Sequence, residues 1–397
     1  MIRSALLLCA ALLAAACFAC AQAIVPIGQA PPPPPLAVAC NANDASSFVP
    51  SKVFVLDTRF GFNPYPGFGD PPALLGASPA PSTADDLTQA FGTAPLFFRA
   101  QLCALDGVFV DPTPCAGPDQ CSTRSWGYRD PRTGKMYIGL SANTLWPSGA
   151  HAPLLMKYET DLLNWELSTL NGGLSWGAAG SPYFSSHYGL GDPANTSAMT
   201  VLAALAHELG HVRWYQVNVS IPGSFNYDFT KYLMPCKSDG TTSFFGEGWD
   251  DRDLLALQPP QWRKAVGTDP RDPLHVPTHA MPPQNDKLKH PVNLGDLGQT
   301  LAALHDSAHP WASLLASLSP DHDFVETHVF DVLTRNSGFK DPIGHPYVRS
   351  LQLTIPVGGG SVARDVPYDY FNHAGDKAKF VRKVACVAWI NDNVPLR

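Results

Sequence analysis

His207-Glu208-Leu209-Gly210-His211 is the stretch of this chain best equipped for chemistry. On a helix, residues four apart share a face, so the imidazoles of His207 and His211 point the same way and can hold one metal ion. Glu208 sits one residue on, within reach of a water on that metal. The H-E-x-x-H pattern therefore predicts two zinc ligands and the general base of a hydrolase. Chance is a poor explanation. With 13 His and five Glu (159, 166, 208, 247 and 326), a random chain of this composition would show the motif roughly 0.5% of the time. The competing reading is an apolar core helix carrying two hydrogen-bonded histidines, which would leave three costly polar groups to be paired without a metal.

The motif needs a helix to carry it. Val201 to Tyr215 is rich in Ala and Leu and suits a buried helix, and Asn195, Thr196 or Ser197 can cap its start. A second helix start is written at 319–333. There Ser319 can cap, Pro320 suits the first helical position, and Asp321 and Asp323 favour the positive end of the helix dipole. Apolar residues then recur to Leu333, and Gly338 follows as a stop.

Two histidines do not complete a catalytic zinc site; a third protein ligand and an open position are needed. His207-Glu208-x-x-His211, followed far downstream by Asp323-Phe324-Val325-Glu326-Thr327, resembles the zincin metallopeptidases, in particular the group that includes anthrax lethal factor. The resemblance covers about a dozen residues at the first helix and about ten at the second. In that group the first acidic residue of the second helix ligates zinc, and a Glu four residues later supports the site. Carried over, the supporting position falls on Glu326 and the ligand position on His322, where this chain departs from the pattern. Either His207, His211 and His322 bind zinc with Glu326 orienting one imidazole, or Glu326 binds directly. Glu247, 36 residues after His211, is a competing third ligand, although Gly246 and Gly248 flank it. A second spaced pair, His305 and His309, reads as chance or as support, because no third ligand follows it.

Residues 1–23 read as a secretory signal with an A-x-A site at Ala21-Gln22-Ala23, and residues 24–47 as a Pro-rich spacer. Export leaves six cysteines (40, 103, 115, 121, 236 and 386), an even set with fifteen possible pairings; Cys115–Cys121 is the natural local bridge. Within residues 48–195, a mainly β part with one helix, strands are expected at Lys52–Leu56, Leu96–Leu102, Gly107–Val110 and Lys135–Leu140. The helix is expected at 151–170, with Glu159 and Glu166 on a solvated face. Residues 57–83 read as loop. Residues 196–397 form the zincin-like metal-binding part, with a further strand at Leu351–Ile355 and a closing segment from Phe380 to Ile390 that holds Cys386.

The expected fold is thus α+β: a zincin-like core with an H-E-x-x-H helix and a second ligand-bearing helix, loop-rich (39 Pro, 32 Gly) and disulfide-stapled. A net charge of −7 argues against nucleic acid as a partner, and no stable membrane span is expected after signal cleavage. The functional expectation is an exported, Zn2+-dependent metallopeptidase acting on protein or peptide, with Glu208 as base. Two alternatives stand beside it. One is a non-catalytic extracellular or cell-envelope binding protein with a structural or degenerate metal site. The other keeps the metal but hydrolyses esters or cell-wall peptides.

Overall fold

A computed structural model describes residues 39–60, 72–113, 125–130, 133–155, 157–159, 161, 184–186, 195–218, 316, 320–335, 351–357, 360–366 and 378–396. The signal segment, Cys115, Cys121, Glu166, Glu247, His305 and His309 lie outside these residues.

The described chain is α+β. Its helices are α1 (Phe48–Lys52), α2 (Pro81–Thr93), α3 (Leu96–Ala104), α4 (Ser197–Asn218), α5 (Pro320–Thr334) and α6 (Ala378–Asn393). One sheet holds β1 (Val53–Val55), β2 (Gly107–Asp111), β3 (Trp126–Arg129) and β4 (Met136–Ser141) in the order β1-β2-β4-β3. β1, β2 and β4 run parallel, and β3 returns antiparallel to β4. A second, antiparallel sheet orders β5 (Phe184–Ser186), β6 (Leu351–Val357) and β7 (Gly360–Val366).

Three expected strands form where the sequence places them, at Lys52–Leu56, Gly107–Val110 and Lys135–Leu140, and Leu351–Ile355 lies within β6. Leu96–Leu102 does not: it is helix α3. Its Phe and Leu content suits a strand, but the buried positions are Phe98, Gln101, Leu102 and then Leu105, a spacing of three and four, while Leu96 is 56% exposed. Helix α2 likewise begins at Pro81, inside the stretch expected to be loop. Order also starts before Phe48. The Asp44 carboxylate accepts from the Ser46 backbone and caps a turn of 3-10 helix, and Cys40 is bridged to Cys103 on α3. Cys386 is also disulfide-bonded. Glu159 is buried rather than solvated, because it shares its helix face with fully buried Leu155 one turn earlier.

Helix α4 is apolar almost all round, as a central helix must be. Val201, Leu202, Leu205, Leu209 and Val212 are all completely buried, and α2, β3, β4 and α5 pack around it. One continuous core runs from Phe48 through the sheet to Val329 and Leu333, so residues on both sides of position 195 build it. The first turn of α4 is pinned by polar bonds. Thr196 Oγ1 accepts from the Met199 backbone, while Ser197 Oγ and Thr200 Oγ1 donate to the carbonyls of Ala152 and Pro153. That segment is held in turn by buried Asp86 on α2, whose carboxylate accepts from Trp146 Nε1, His151 Nδ1 and the Ala152 backbone.

Helix α6 braces the pair formed by α4 and α5. Arg213 Nη2, on α4, donates to the carbonyls of Ile390 and Val394, satisfying the last turn of α6 and placing a cation at its negative end. Burial pulls the Arg213 pKa down to about 10, which leaves it charged at neutral pH. Asn391 on α6 donates to Asp331 on α5, and Lys383 on α6 is ion-paired with Asp323 on α5, both completely buried. Asp323 is therefore an interior charge rather than a surface residue at the helix dipole. Trp214, Phe324, Cys386, Val387 and Ile390 fill the apolar space between these contacts.

His328 of α5 is sealed between the rings of Phe98 and Phe324, where its Nδ1 donates to the Ala206 carbonyl. Burial, with Arg213 nearby, drops its pKa from 6.5 to about 3. The unfolded chain then binds a proton near pH 6.5 that the folded chain refuses, so this residue costs stability as pH falls below 6.5. Asp331, raised by burial to about 6, acts in the opposite sense. The contribution of His328 is isolated by comparing the protein with His328→Phe in urea unfolding. Between about pH 6.5 and about pH 5 the wild type should lose roughly 2 kcal/mol more than the variant. Equal losses would mean that His328 protonates freely in the folded protein.

Candidate metal centre

The two motif histidines project from the side of α4 that meets α5. Their Nε2 atoms face each other 3.2 Å apart, with the rings nearly perpendicular at 76°. From α5, Glu326 reaches the far side of His207, whose Nδ1 donates to its Oε1 at 2.8 Å. That bond has a chemical consequence. A neutral imidazole whose Nδ1 donates carries its lone pair on Nε2, the nitrogen turned toward His211. His322, one turn before Glu326 on α5, places its ring 5.5 Å from that of His211, again nearly perpendicular. The structure thus brings His207, His211, His322 and Glu326 together across 119 residues of sequence separation between His207 and Glu326.

Glu208 lies on the same turn and is buried, 5% exposed. Burial raises its pKa to about 7; the neighbouring Glu326 adds to the rise and His207 opposes it. A carboxyl that titrates near neutrality can both take up and give back a proton there.

No protein-family model, curated protein or solved structure matches this chain. The chemistry of the site is therefore argued from its own geometry.

The donor set suits zinc on three counts. At Zn–N bonds of about 2.0–2.1 Å, two nitrogens on a tetrahedral zinc stand roughly 3.3–3.4 Å apart, close to the 3.2 Å observed. Neutral imidazoles are the commonest donors to such metals. A carboxylate behind a ligating imidazole fixes its tautomer and orientation, and this bond is present. Among the described residues no three His, Cys, Asp or Glu side chains are already closed into a metal-holding group: the His207–His211 pair is set, and His322 stands beside it at ring-contact distance.

Two glycines allow this packing. A Cβ on Gly127 of β3 would stand 2.6 Å from the Glu208 carbonyl oxygen and 3.1 Å from the His211 Cβ, so β3 lies directly against the motif. A Cβ on Gly210 would stand 3.2 Å from the Val325 Cα of α5. Sequence reasoning treated Gly210 as filler between the histidines, yet a glycine in a helix interior costs about 1 kcal/mol relative to alanine and so signals a close neighbour. It also missed Lys383. The signal was a lone lysine in register with Cys386, Val387 and Ile390, spaced as one buried helix face.

Proposed function

We propose that this protein is an exported zinc-dependent hydrolase of the metallopeptidase type, similar in plan to the zincins. The observation that carries the reading is the His207–His211 nitrogen pair with Glu326 holding His207 from behind. The third donor is His322. Glu326 is engaged on Nδ1 of His207, away from the facing nitrogens, which makes it the supporting carboxylate. In these roles His207, His211 and His322 would hold zinc, which when bound would polarise a carbonyl and lower the pKa of its water.

The chain's own residues then divide the work. Glu326 keeps the His207 lone pair directed into the site. Glu208, with its carboxyl poised near neutrality, takes the proton from the attacking water and delivers it to the departing amine. The surrounding apolar packing keeps bulk water from the carboxylate. A peptide substrate is favoured over a small ester by β3. Among the described residues this strand pairs only with β4, and it touches the motif at Gly127, so its other edge can take an extended chain by strand addition.

The non-catalytic alternative shares the metal but not the turnover. Among the described residues no helix is long and apolar enough to cross a membrane. The experiment that tests the metal is elemental mass spectrometry of the purified protein and of His207→Ala. About one zinc per chain, lost in the variant, is expected. A protein that carries no zinc and takes none up on addition would return the motif to a pair of buried, hydrogen-bonded histidines.

A further inference from the structure

The two site helices do not merely lie side by side; they touch at one point, and that point is inside the site. Gly210 falls between His207 and His211 on α4, and Val325 falls between His322 and Glu326 on α5. A Cβ on Gly210 would meet the Val325 Cα at 3.2 Å, its Cγ1 at 3.3 Å and its Cγ2 at 3.4 Å. Val325 is completely buried, and the nearest of these atoms is backbone, so side-chain rotation cannot relieve the contact. An added methyl would have to push α5 outward at the residue immediately before Glu326. The His207–Glu326 bond, 2.8 Å long, spans this same gap and has little slack.

We infer that Gly210 is a positioning residue: by admitting the backbone of α5 at Val325, it sets the distance at which Glu326 grips His207. The metal role of the site rests on the function proposed above, but this inference concerns a bond between two residues of the chain and is readable without metal. A small outward shift of α5 would lengthen the Nδ1–H donation and release the His207 ring to its other tautomer, with its lone pair turned away from His211. Outer contacts of this kind typically change metal affinity by 10–100-fold.

The test uses the full chain with 15N-labelled histidine, first without metal. In the wild type the His207 ring should show a protonated Nδ1 and an unprotonated Nε2. Gly210→Ala should convert this to a mixture of tautomers, and Gly210→Ala/Val325→Ala, which removes both Cγ contacts, should move it back toward the wild-type pattern. Zinc affinity, read by competition with a chromophoric chelator, should fall about 10–100-fold in the single variant and recover in the double. Alanine favours the helix by about 1 kcal/mol, which offsets part of the crowding; if Gly210→Ala does not fold, Val325→Ile crowds the same crossing from the other side with the same expected readouts. An unchanged His207 tautomer in a folded crowding variant overturns the inference. Wild-type protein that binds no zinc but still shows the tautomer change would remove the metal reading and leave the positioning role intact.

Discussion

Glu208→Gln should lower peptide-bond turnover by roughly 10²–10⁴-fold while leaving zinc content at the wild-type level. Gln matches Glu in shape, and Glu208 is buried beside His207, so the substitution removes a proton acceptor without opening a cavity. The ligand set assigned here does not include residue 208. Removing the carboxylate also removes a buried ionisable group, so the fold should not suffer. Two assays on one preparation decide the matter: hydrolysis of a mixed peptide library and elemental mass spectrometry. Turnover that survives the change would eliminate Glu208 as the base. Loss of zinc together with turnover would instead place residue 208 among the groups that hold the metal. A wild-type protein that binds zinc but cleaves no peptide would favour the binding-protein or esterase alternatives.

Lys383→Met should destabilise the protein by about 3–5 kcal/mol, measured by urea unfolding, because it strands the Asp323 carboxylate in the interior. Both partners are completely buried, and they join α6 to the helix that carries His322 and Glu326. The effect comes chiefly from the abandoned charge rather than from the worth of the pair. Lys383→Met/Asp323→Leu should therefore recover most of the loss, since apolar replacement of a buried ion pair is often neutral or better. A double variant no more stable than the single would assign the loss to packing around Phe324 and Cys386 instead. Asp323 adjoins His322 in the chain, so the single variant should also weaken zinc retention, linking a contact made by α6 to the proposed centre.

Much of the local architecture was written plainly in the chain. The H-E-x-x-H helix and the helix beginning at Pro320 follow from short-range rules: apolar density, a proline at the first helical position, and a fourfold spacing that sets two side chains on one face. β2 and β4 likewise read from runs of β-branched and aromatic residues. Where short-range rules conflicted, tertiary burial decided. Leu96–Leu102 has the composition of a strand, but its inward positions recur at helical spacing, and only the core reveals which positions those are. Glu159 has the composition of a surface residue and is buried for the same reason.

The sequence by itself determined which residues could do chemistry. His207, Glu208 and His211 are placed relative to one another by helix geometry, and that geometry is local. What only the tertiary structure decided is how the second helix meets the first. Nothing local distinguishes His322 from Glu326 as the residue that turns toward the facing nitrogens, because both lie on one face of α5. The choice depends on the crossing of α4 and α5, on the absence of a side chain at Gly210, and on the buried Asp323–Lys383 pair that braces α5 from behind. Those are contacts between residues far apart in the chain, set by packing of the whole core and by no spacing within either helix.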